Sequence, residues 1–148
     1  MSKTKDSKLL IVPRLLAGLP LLGLGVKHFI DPGHMKSILI ASGIPMVDVN
    51  VFAAPAGEVL AGVLLLLGLY PRIGGLIGAA SMVVALYSTA VLSKLTIDTL
   101  PGGLTEIPFV PPLPLPIVVL VCSLIVVALG GGAWCLGSHK PTGAVDDN

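Results

Sequence analysis

Charged side chains are scarce in this chain: Asp, Glu, Lys and Arg make up 11% of its 148 residues, against about 25% in an ordinary soluble domain. Aromatic residues are also few, at 4%, whereas 54% of the residues are hydrophobic and Gly adds another 18 positions. A chain of this size has too little interior to hide so much apolar surface, which excludes a soluble globular domain. A mean hydropathy of +0.97 excludes a disordered chain, which needs low hydrophobicity and high charge. The net charge of +1 leaves no electrostatic footprint for nucleic acid. What remains is a membrane protein.

Reactive side chains are equally sparse. There are two cysteines, Cys122 and Cys135, and no Cys-x-x-Cys. On one continuous helix they would lie about 20 Å apart, well beyond the roughly 7 Å that a disulfide tolerates. The three histidines, His28, His34 and His139, are too scattered to ligate haem or a metal ion. No phosphate-cradling glycine loop or nucleophile elbow is present. No metal site and no cofactor of its own is therefore expected. Any redox role would run through a bound quinone or a partner, and whether the protein is an enzyme stays open.

A bilayer core of about 30 Å needs about 20 predominantly apolar helical residues. Four stretches qualify, at about residues 9–30, 49–70, 73–92 and 115–136. Open strands would leave backbone groups unpaired in lipid, and the alternation of a barrel is absent. The expected fold is thus all-α, an integral membrane four-helix bundle occupying residues 9–137. A basic start with Lys3, Lys5 and Lys8 resembles a signal peptide. The apolar run exceeds such peptides, however, and ends in Lys27-His28 rather than at a small-residue cleavage site, so it reads as a retained span.

Basic residues near the span ends set direction. Lys3, Lys5, Lys8, Arg14, Arg72 and Lys140 fall on one side, and Lys27, Lys36 and Lys94 on the other. That split places both termini, the tail 1–8 and the polar, disordered tail 138–148, in the cytoplasm, with a bacterial inner membrane as the expected location. Trp134 suits an interfacial anchor. Of the two outer connections, the first, from Asp31 to Asp48, reads as an ordinary loop. The second, residues 96–114, carries five prolines and Gly102-Gly103, so it cannot form a regular helix. It reads either as a cap over the bundle or as a stiff linker. Tyr70-Pro71-Arg72 is too tight to allow anything but antiparallel neighbours.

Lipid tails give helices no hydrophobic reason to associate, so small residues that admit close backbone approach matter more. Arg14, Gly18 and Gly25 share a face of the first span, and Ala54, Glu58, Ala61 and Gly62 share one of the second. Gly74, Gly75, Gly78 and Ser81 do the same in the third. These are read first as packing surfaces.

Glu58 is the exception that demands a function, because a carboxylate at mid-membrane costs about 2.5–3.5 kcal/mol even on lenient insertion scales. If the second span begins near Val49, Glu58 lies about 13 Å deep. If regular helix begins only at Pro55, Glu58 falls in the first turn, near interfacial water. Its candidate partners are Lys27 and His28. An ideal helix puts His28 within about 40° of the Arg14/Gly18/Gly25 face and Lys27 on the far side, but a kink at Pro20 would spoil that register. Lys27 could instead snorkel to the headgroups, and Arg14 could reach the phosphates. Tyr87 is a further candidate hydroxyl donor. Proton-carrying or ion-pair candidates are therefore Glu58, Lys27, His28 and Arg14.

Two blocks carry a resemblance. The first runs Arg14-Leu-Leu-Ala-Gly18 through Gly25-Val-Lys27, and the second Ala56-Gly57-Glu58-Val-Leu-Ala-Gly62 through Gly68-Leu-Tyr-Pro-Arg72. Over its first half the chain resembles the DoxX family of small four-helix membrane proteins. That resemblance makes Arg14, Lys27, Glu58 and Arg72 the family's charged residues. It implies a membrane component whose relatives include a thiosulfate:quinone oxidoreductase subunit, a mycobacterial oxidative-stress complex and receptor-assembly chaperones. The Pro-rich outer segment departs from the family pattern.

Three readings follow. The first is an accessory or scaffold subunit of a membrane-associated redox, oxidative-stress or sulfur-oxidation complex. The second is a quinone-linked oxidoreductase subunit binding a small substrate near Glu58, and the third is a membrane assembly chaperone. Expected partners are the lipid bilayer and proteins of such a complex, with a second copy of the chain as a further candidate.

Overall fold

The computed structural model describes residues 8–101, 103–110, 112–132 and 135. Expectations resting on Lys3, Lys5, Trp134, His139, Lys140 and the tail 138–148 lie outside the described residues. Among the described residues there are helices, turns and loops and no strand.

A 3₁₀ turn, Lys8–Leu10, leads into α1, Ile11–Ile30, which runs unbroken through Pro20. Helix α3 spans Val47–Leu67 and α4 spans Pro71–Leu92, joined by a connection in which Gly68 takes φ +68° and Tyr70 φ +45°. Gly ends a helix in this left-handed region without a Cβ penalty, and Pro71 at the first helical position gives up an N–H that would have no partner anyway. These three helices are long and apolar enough to cross a membrane.

Two elements differ from the sequence reading. The first outer connection is not a plain loop: Pro32–Ala41 forms a helix, α2. Its start is locally encoded, since Asp31 accepts the His34 N–H at 3.0 Å and Pro32 follows at the first position, a regular N-cap arrangement. The last helix, α5, covers only Pro114–Leu129 and stops at Gly130, φ +84°, instead of continuing to residue 136. Its 16 residues amount to about 24 Å, less than a bilayer core. Cys122 is in α5 and Cys135 lies beyond its end, so the two do not share a helix. The described part of the Pro-rich segment holds a single 3₁₀ turn, Ile97–Thr99.

Helix α1 packs on α3, α3 on α4, α4 on α5 and α5 back on α1, while α2 lies across α3, α4 and α1 at one end. Leu21, Leu65, Met82, Val119 and Val126 fill the centre. Met35 and Leu39 of α2 make a smaller cluster with Val51 of α3. The α1–α3 seam is very tight. A Cβ on Gly62 would stand 2.7 Å from the Leu22 nitrogen, and one on Gly25 would stand 2.9 Å from the Val59 nitrogen. The small-residue faces therefore bring the two backbones into direct contact, as helix association in lipid favours.

Candidate functional site

Helix α3 begins at Val47 with Pro55 in its interior, which removes the placement of Glu58 in a first turn. Eleven residues from the start, Glu58 sits about 16 Å along the helix, near its middle and buried. Its Oε2 lies 2.9 Å from Nδ1 of His28. Both side chains are nearly withdrawn from the surface, at 14% for His28 and 8% for Glu58. Gly25, one turn before His28, makes this reach possible, because a Cβ there would come within 3.0 Å of the Glu58 Cβ. The register of α1 survives Pro20, so His28 stays on the glycine face. Lys27, the other candidate partner, is exposed and has no part in the pair.

The pair forms part of the wall of a cavity of about 430 Å³ between α1, α3 and α4, closed at one end by α2 and by Val110 and Pro116. Most of the lining is apolar, with Met35, Leu39, Ala54 and Met82 among it. Besides His28 and Glu58, the polar groups on the wall are Asn50, Ser81, Ser88 and Thr89. Asn50 Nδ2 donates to the Pro45 carbonyl at 2.8 Å and Thr89 Oγ1 to the Ala85 carbonyl at 2.9 Å. The hydroxyls of Ser81 and Ser88 make no hydrogen bond among the described residues, although Ser88 is only 4% exposed. Among the described residues the one side-chain oxygen that is itself fully buried without a hydrogen-bond partner is Ser123 Oγ of α5, which does not line the cavity. Tyr87, a sequence candidate for this role, is 55% exposed and is not on the wall.

Arg14 belongs to a different place. Fourteen residues before His28, it lies about 21 Å away along α1. It does not extend to the membrane surface: it is 3% exposed. Its Nε donates to the Leu65 carbonyl at 2.9 Å and Nη2 to that of Leu66 at 3.2 Å, while Nη1 donates to Gly131 at 3.1 Å and lies 3.6 Å from Cys135 Sγ. The final carbonyls of a helix have no partners within it and carry its negative dipole end. One planar guanidinium thus closes the end of α3 and binds the chain that leaves α5. Gly68 must be glycine beside it, since a Cβ there would collide with the guanidinium.

The four candidate residues therefore divide. His28 and Glu58 meet on the cavity wall, Arg14 holds the opposite end together, and Lys27 stands apart. Sequence reasoning missed Ser88 and the α2 wall. A signal for the former existed, since Ser81 and Ser88 are seven apart on one face of a helix that carries no charge beyond Arg72. Among the described residues no three His, Cys, Asp or Glu side chains converge as a metal site.

Three membrane-length apolar helices around a mostly apolar cavity with a buried acid–base pair define a helical integral membrane protein, set in a lipid bilayer. The DoxX family model matches residues 9–91, and the chain belongs to the DoxX family. That match takes in α1 to α4, with Arg14, His28, Glu58, Ser81 and Ser88, and leaves α5 outside. No curated protein and no solved structure is detectably similar to the chain.

Proposed function

We propose that this DoxX-family protein is the quinone-binding subunit of a membrane redox complex, with the quinone ring held in the cavity against Glu58 and His28. The observation that carries this reading is the buried 2.9 Å His28–Glu58 bond on the wall of an apolar space of about 430 Å³. Small-molecule sites are of this kind, largely apolar with a few placed polar groups. A quinone offers carbonyl oxygens that accept hydrogen bonds and a ring that fits apolar walls. Its reduction takes up two electrons and two protons; an imidazole hydrogen-bonded to a carboxyl group can hand over one proton and, once re-protonated from water, the second. The electrons would come from a protein partner, in an oxidative-stress or sulfur-oxidation context such as the family resemblance implies. In this reading α5 makes the fourth crossing, both termini face the cytoplasm, and the membrane is a bacterial plasma membrane.

The purified protein should bind menadione, followed by titration in detergent, and the double variant His28→Leu with Glu58→Met, which removes the imidazole donor, should weaken that binding by about tenfold, the effect of losing one good hydrogen bond. Equal affinity in the two proteins would overturn the reading. The alternative is a scaffold or assembly chaperone without a ligand. It is favoured by the position of the His28–Glu58 bond, which bridges the α1–α3 seam and would serve equally as a clamp. For that role, native-membrane purification should recover a stable protein partner, and that recovery should be lost in Glu58→Ala.

A further inference from the structure

The cavity is not sealed equally on all sides. Along the Arg14 end, α3 and α4 are in backbone contact: a Cβ on Gly74 would stand 2.9 Å from the Leu64 Cβ and 3.3 Å from the Ala61 carbonyl. Towards the α2 end the same two helices approach less closely: a Cβ on Gly57 would make only an ordinary contact, with Ile77 Cγ2 at 3.7 Å. The α1–α3 seam stays closed as far as Gly25, and on the α5 side the lining residues Leu115 and Pro116 are half-buried and buried. On the looser α3–α4 seam, Ala53 of α3 and Ala80 and Val84 of α4 line the cavity and are at the same time exposed. The end that would face water is covered by Met35, Ile38 and Leu39 of α2, all buried.

The geometry points to a sideways mouth between α3 and α4, through which the ligand passes from the lipid phase rather than from water. This rests on the cavity being a ligand site, and it specifies the ligand class: a membrane-dissolved molecule with a hydrogen-bonding head and a single long apolar tail. The head lies inside, between the His28–Glu58 pair and Ser88 on the cavity wall. The tail leaves between Ala53, Ala80 and Val84, whose small or apolar side chains offer it no polar group. A water-soluble anion such as an inorganic sulfur oxyacid has no apolar tail to carry it through this mouth, and no lysine or arginine lines the wall to hold it. Lipid exposure also explains how a cavity can be open here: both rims are helices, whose backbone groups bond within the segment.

A cysteine on the rim tests the route without any quinone. In liposomes, Ser81→Cys should be alkylated by a long-chain N-alkylmaleimide dissolved in the lipid and not by a membrane-impermeant maleimide sulfonate on either side. Peptide mass analysis separates this site from Cys122 and Cys135, so neither native cysteine has to be replaced. Adding Ala80→Trp, which fills the mouth from the lipid side, should abolish the labelling, and Ala53→Trp should do the same if the first variant fails to accumulate. Labelling by the sulfonate reagent that survives Ala80→Trp would place the mouth at the aqueous end and overturn the inference. Absence of labelling by both reagents would overturn it as well. Labelling from lipid in a protein that binds neither menadione nor a long-tailed menaquinone keeps the portal and removes the quinone reading.

Discussion

Nδ1 of His28 and Oε2 of Glu58 stand 2.9 Å apart, linking the last turns of α1 to the middle of α3. Neither group can be removed without leaving the other in an apolar surround. His28→Ala should therefore destabilise the protein by about 3–5 kcal/mol, the usual cost of orphaning one member of a buried pair. Replacing both, as His28→Leu with Glu58→Met, should recover most of that loss, because the burial penalty disappears with the charge. Thermal unfolding of the wild type, His28→Leu, Glu58→Met and the double variant in detergent checks the coupling. Additive losses would show that the two side chains do not act as a pair.

At the other end, Arg14 serves three carbonyls at once. Lysine carries a single compact ammonium in place of the planar fork, so Arg14→Lys should cost about 1–3 kcal/mol through carbonyls left unsatisfied. Arg14→Ala should cost more. Menadione binding by Arg14→Lys should stay unchanged, since the guanidinium is about 21 Å from the cavity pair along α1. Unfolding curves and quinone titration on the same preparation separate the two effects.

Two glycines on facing helices give a matched comparison. Gly62→Ala places a Cβ 2.7 Å from the Leu22 nitrogen, so α1 and α3 must separate, at a cost of about 1–3 kcal/mol. Gly23→Ala meets nothing within 4 Å and should gain up to about 1 kcal/mol from better helix propensity. Opposite signs in chemical unfolding are expected.

The Lys36–Asp48 contact that ties α2 to the start of α3 is also 2.9 Å long, but its side chains are 51% and 88% exposed. Exposed pairs contribute about 0–1 kcal/mol and are screened by salt. Lys36→Ala should therefore shift the unfolding midpoint far less than His28→Ala, and raising ionic strength should erase the difference between Lys36→Ala and the wild type. A loss as large as that of His28→Ala would mean that α2 is held in place chiefly by this contact.

Much was determined within single helices, and the sequence alone carried it. Apolar runs of membrane length placed α1, α3 and α4 to within a few residues. Period-3.6 spacing assigned Gly18, Gly25 and Gly62 to packing faces, and the cost of a carboxylate in lipid singled out Glu58. Even the two misread helix boundaries had local signals: Asp31-Pro32 starts α2, and the Gly130-Gly131-Gly132 run stops α5. What only the tertiary structure decided is which groups meet. The choice of His28 over Lys27 depends on the register between α1 and α3, fixed where Gly25 and Gly62 let the backbones touch. Arg14 is buried because the ends of α3 and α5 converge on it, which neither helix encodes alone. The cavity and its lateral mouth exist because α3 and α4 approach less closely towards the end that α2 covers. Hydropathy and periodicity describe one helix against its solvent, whereas a site between helices is set by close contacts at a few positions on each.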